Sequence, residues 1–184
     1  MALQGALPTP NRFITTHDAS GKAIIDSSIP AAAPFYSIGS ASDALFAQCY
    51  VTSDFPVQIT DDADTAAYKT FLASPPGLTV SGGTVLRYVD MPPGALSPMH
   101  RTVSLDYGVV LEGEVDLVLD SGETRHMKRG DICVQRATMH AWRNRSETEW
   151  ARMLYVLQPV KPAVVAGQEL REDYGGMVGV KHSE

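Results

Sequence analysis

From Thr79 to Val160 the chain is cut into short β-prone runs by turn residues at intervals of roughly eight to twelve positions. The runs are Thr84–Val89, Asp106–Leu111, Val115–Leu119, Ile132–Gln135 and Met153–Gln158. The punctuation falls at Pro92–Gly94, Glu112–Gly113, Asp120–Gly122 and Arg129–Asp131. Helices need longer uninterrupted stretches, so this texture predicts an all-β barrel or sandwich. Glu114–Asp120 partly alternates apolar with polar side chains, as a strand with one solvated face does. The Ser121–Gly122 tip after it favours a hairpin back through Thr124–Met127.

The flanks read differently. Residues 1–78 are expected as an N-terminal arm and peripheral segment, 79–160 as the barrel and 161–184 as a tail. Within the first part, Asn11–Thr16 and Lys22–Asp26 are strand-like around a turn at Asp18–Gly21, and Ala44–Thr52 is apolar enough for a buried strand. Asp61–Leu72 starts acidic and is rich in Ala, with Ala67, Phe71 and Leu72 available for one face; a short helix is expected, stopped at Ser74–Gly77.

At 184 residues, one domain with a real core is the expectation. The net charge of −6 argues against nucleic acid or an anionic membrane as the main partner. No apolar run approaches the roughly 20 residues that span a bilayer. The opening MALQGALPTPNR lacks a charged start followed by an apolar stretch, so no secretory leader is expected. Cys49 and Cys133 lie in separate apolar runs and read as free thiols of a reducing compartment, which makes the cytoplasm the expected address.

Metal sites in small barrels need imidazoles or carboxylates aimed into one concave interior. Two stretches offer them, Pro93–Gly113 and Gly130–Asn144. Their spacing resembles the cupin family. Gly94, His100, Asp106 and Gly113 fall on that family's first motif, and Gly130, His140 and Asn144 on its second. Thr102 stands where a second His is usual and Asp106 where Glu is usual. Gln135–Thr138 replaces a stretch that often carries Pro and Gly, and the spacing to His140 is one residue shorter. The resemblance is closest to small stand-alone cupins found beside fungal polyketide synthases.

The resemblance implies a double-stranded β-helix, or jelly-roll, barrel. It also implies an open ligand set of His100, Asp106 and His140 for a divalent Fe, Mn or Zn ion, the same three residues carrying the catalysis. A buried unpaired carboxylate is costly, so Asp106 needs either that metal or a salt bridge to Arg101 or Arg136. Arg101, Tyr107, Arg136 and Trp142 are the candidates for substrate contact, with ion pairing or packing as the plainer alternatives. Tyr88 and Met99 are within reach of the barrel mouth, a position the sequence leaves open. Asn144 is expected to satisfy backbone groups, Glu112 and Glu114 to be solvated, and His17, His126 and His182 to be silent.

The expected function is a metal-dependent oxidoreductase of secondary metabolism, acting on a small oxygenated aromatic or polyketide-derived substrate. A lyase or isomerase, which needs only Lewis acidity and an acid/base group, stays open, as does a non-catalytic small-ligand module. A homodimer is expected, paired through Phe13–Thr16 and Lys22–Asp26.

Overall fold

The computed structural model describes residues 7–38 and 43–183; residues 1–6, the start of the segment read as leaderless, lie outside it. In chain order the strands are β1 (Thr15–His17), β2 (Ala23–Ile25), β3 (Phe35–Ser37) and β4 (Leu45–Val51). A single 3-10 turn (Thr60–Asp62) and helix α1 (Ala63–Ala73) follow. Then come β5 (Val85–Met91), β6 (Ser104–Glu112), β7 (Glu114–Leu119), β8 (Thr124–Lys128), β9 (Ile132–Arg136), β10 (His140–Asn144) and β11 (Ala151–Pro159). A short hairpin of β12 (Val164–Val165) and β13 (Gln168–Glu169) opens the tail.

The runs between turns became strands of two antiparallel sheets, as the punctuation predicts. The larger has the order β3-β4-β5-β11-β6-β9 and the smaller β10-β7-β8. Single bridges at Leu96–Arg143 and His100–His140 lay residues 96–100 along the free edge of β10. Val110 and Met153 from the larger sheet share one core cluster with Val115, Met127 and Trp142 from the smaller. Each such fully buried side chain contributes about 1.5–3 kcal/mol relative to exposure. The result is the two-sheet, jelly-roll form of the expected all-β fold. Among the described residues its strands form two sheets rather than one continuously hydrogen-bonded ring.

The expected N-terminal arm is more than a periphery. It supplies β3 and β4 to the larger sheet, and Ile38, Ala44, Phe46 and Val51 to the core. Strand β4 is buried on both faces, which explains its near-continuous apolar sequence. Its outer face, with Ala47 and Cys49, packs against Ala33, Phe35, Leu86 and Tyr88. Tyr88 therefore lies behind the sheet, not at a barrel mouth. Behind it, Arg152 holds Asp90 through two hydrogen bonds of 2.6 Å, pinning β11 to β5. Both cysteines are free.

Helix α1 forms where expected, and its buried side chains are Thr65 and Tyr68. Phe71 and Leu72 pack on the core from partly buried positions. Tyr68 donates 2.8 Å to the Gln48 carbonyl, tying the helix to β4.

The tail, for which the sequence suggested no structure, folds back. Asp173 bridges Arg101, Tyr174 is buried, and Met177 reaches the core.

Candidate active site

Strand alternation decides what enters the space between the sheets. On β5, Arg87, Val89 and Met91 point inward, and on β6 Asp106 does, with Tyr107 turned out to solvent. The cavity measures about 80 Å³. Its walls include Phe46, Leu78, Val89, Trp142, Leu157 and Met177, so it is apolar apart from a few converging polar groups.

His100 and His140 face each other across their bridge, with ring centres 4.3 Å apart. His100 Nδ1 lies 2.8 Å from the Pro98 carbonyl. That contact places the proton on Nδ1 and leaves Nε2 with its lone pair. His140 has two Nδ1 neighbours, the Thr138 carbonyl at 3.0 Å and Gln135 Nε2 at 2.9 Å. The carbonyl favours a proton on Nδ1 and the Gln135 amide favours one on Nε2, so these neighbours set whether the ring offers a lone pair or a proton. The edge of Trp142 packs on His140 at 5.8 Å. Burial keeps both imidazoles neutral; with the added repulsion of His100, His140 is driven down to about 3.

Asp106 is buried in the same wall. Burial raises its carboxyl to about 6, against the lowering effect of hydrogen bonds from Ser104 and Thr102 and of the Arg87 charge. Its Oδ1 has no hydrogen-bond partner. Among the described residues, no group of three His, Cys, Asp or Glu side chains is arranged to hold one metal ion. The donors that stand together are the two imidazoles, and Asp106 borders the same cavity apart from them.

The other expected site residues divide. Trp142 lines the cavity. Tyr107 and Arg136 are exposed, and Arg136 sits opposite Leu105 at the end of β9. Arg101 turns to the tail, with its Nη1 3.4 Å from the Arg171 carbonyl. The cation near Asp106 is thus Arg87, not Arg101 or Arg136. Asn144 binds three backbone carbonyls, those of Met91, Pro92 and Glu149, as its position at a strand end suggested. His126 and His182 pair with acidic neighbours away from the cavity.

Arg87, Gln135, Ser104 and Tyr155 escaped the reading of the sequence. For Arg87 a signal existed: it shares the inward parity of Val85, Val89 and Met91.

Comparison with known proteins agrees with this architecture. Residues 87–157 match the cupin domain model. The chain is 52% identical over 174 residues, 95% of its own length and 89% of the relative's, to phomopsin biosynthesis cluster protein C' of Diaporthe leptostromiformis. It is 41% identical over 84% of its length to the cupin-domain-containing oxidoreductase virC of Hypocrea virens, covering 78% of that protein. Against the cupin-domain-containing oxidoreductase srdB of Neurospora crassa the values are 37%, 92% and 83%.

Proposed function

Because the chain belongs to the cupin-domain family represented in fungal biosynthetic clusters, we propose that it is an oxidoreductase of secondary metabolism acting on a small oxygenated aromatic or polyketide-derived molecule. The observation that carries the reading is the pair of neutral imidazoles in contact in the wall of an apolar cavity, which Asp106, a carboxylate with a free oxygen, also borders. His100 and His140 would hold a divalent Fe, Mn or Zn ion through Nε2, His140 in the form whose Nδ1–H donates to Thr138. The ion, when bound, supplies Lewis acidity and, for iron or manganese, one-electron chemistry.

The chain's own residues do the rest. Pro98 and Thr138 carbonyls orient the rings, and Trp142 holds His140 from the side. Phe46, Leu78 and Leu157 exclude water, which strengthens every polar contact inside. Asp106 Oδ1 is placed to take a proton from a substrate hydroxyl or acidic carbon, and its raised carboxyl pKa suits it to exchange that proton near neutral pH.

The same carboxylate favours a second reading, a lyase or isomerase that moves protons without net oxidation. Incubation with candidate aromatic and polyketide-derived compounds under air and under argon separates the two. Turnover with O₂ uptake supports the oxidoreductase, and equal turnover under argon supports the lyase or isomerase. The companion measurement is metal content: His140→Ala should lose the ion and at least about 100-fold in turnover while staying folded. Stoichiometric metal retained in that variant overturns the role given to His140. No change in any compound leaves a binding module as the reading.

A further inference from the structure

Arg87 is only 3% exposed, yet among the described residues no carboxylate forms an ion pair with it. Its Nη2 donates 2.9 Å to the Gly77 carbonyl, and its guanidinium lies 5.1 Å from the centre of the Phe46 ring. Its Nε is buried with no hydrogen-bond partner. A charge taken this far from water normally has a partner charge and a full set of acceptors, because the cost of leaving it otherwise is high. Arg87 lines the cavity that holds His100, His140 and Asp106, and it also borders a second pocket beside Tyr36, Phe46 and Lys181.

We propose that Arg87 is the receptor for an anionic oxygen group, a carboxylate, on the molecule bound in this cavity. The proposal deepens the reading of the cavity as a substrate site and rests on it. A carboxylate supplies both missing elements, a counter-charge and an acceptor for Nε–H, and the planar guanidinium matches its geometry. Asp106 does not serve in that place. Its own Oδ1 is equally unpartnered in the same cavity, so neither orphan atom satisfies the other. A ligand with its acid group on Arg87 presents its remaining surface to the imidazole pair and to Trp142. Substrates of this site are therefore small organic acids, in which a neutral amide or ester in place of the acid is a poor substitute.

Calorimetric titration of the full-length protein with benzoate and with its neutral counterpart benzamide tests the assignment. Benzoate is expected to bind at least about tenfold more tightly than benzamide. In Arg87→Gln that preference should disappear while benzamide binding persists, and Arg87→Lys should retain part of it. Should Arg87→Gln fail to fold, the wild-type preference and its reduction in Arg87→Lys decide the matter. Benzamide binding as tightly as benzoate overturns the role of Arg87 and leaves the substrate cavity standing. An undiminished benzoate preference in Arg87→Gln or Arg87→Lys has the same meaning. Binding of neither probe by the wild type overturns both the Arg87 assignment and the cavity reading.

Discussion

Asp106 shows how one position on a strand sets chemistry. As the third residue of β6 it points inward, and burial raises its carboxyl from 3.8 to about 6. From about pH 4 to 6 the folded carboxyl keeps a proton that the unfolded chain has released. Stability from this group is thus fully present below pH 4, falls as pH rises through 6, and is absent above it. Asp106→Asn should therefore stabilise the fold at pH 7.5 by on the order of 2 kcal/mol, with no gain below about pH 4. Urea unfolding of both proteins across this range checks it, and a difference that does not vary with pH would sink the idea. His100 and His140 act in the opposite sense. Their folded pKa values are lowered, so their contribution is present above the ordinary histidine value near 6.5 and is lost as pH falls below it. Both proteins share that loss, so it cancels in the comparison.

At the scale of elements, the segment after β13 acts as a strap. It crosses the wall near His100 and contributes Met177 to the cavity lining. Two glycines allow the close approach. Gly175 has φ +58, and a Cβ there would lie 2.0 Å from the Met99 carbonyl oxygen. Gly179 has φ +81 and would meet the Ile38 carbonyl at 1.9 Å. A side chain at either position is strained by the backbone and blocked by main chain that cannot yield cheaply. Gly175→Ala should loosen the strap and uncover Met177 without unfolding the sheets. Hydrogen exchange should then rise in residues 170–183 and stay unchanged in β5, β6 and β11; unaltered protection of 170–183 would show that the strap tolerates the methyl.

At the scale of the whole molecule, the two sheets enclose the cavity, and Pro8, Ala33 and Phe35 meet the back of the larger one at Arg152 and the outer face of β4. The β1-β2 hairpin pairs within the chain, Thr15 with Ile25 through His17 with Ala23. That pairing uses the edges the two segments present to each other. The outer edges of this two-stranded sheet, and the apolar side chains beside them, where Phe13 is 69% and Ile25 57% exposed, are left to meet a second copy. We propose a homodimer through this surface. Light scattering should give twice the 19.8 kDa chain mass, falling to one chain mass in Ile25→Glu; a monomeric wild type refutes it. Among the described residues no helix is long and apolar enough to cross a membrane.

Local pattern alone determined the strands between turns, the hairpin at Ser121–Gly122 and helix α1, while His100, Asp106 and His140 are singled out by the resemblance to the cupin motifs. These depend on side-chain periodicity, turn chemistry and spacing, which neighbours in sequence carry. The tertiary structure decided what depends on distant segments meeting. It placed β10 as a strand by pairing it with β7, drew β4 into the main sheet, and brought the tail onto the cavity wall. It also made Arg87 rather than Arg101 or Arg136 the cation near Asp106, and left the two imidazoles together with the carboxylate apart. Alternation says which residues face inward, but only sheet register and packing say which inward residues face one another.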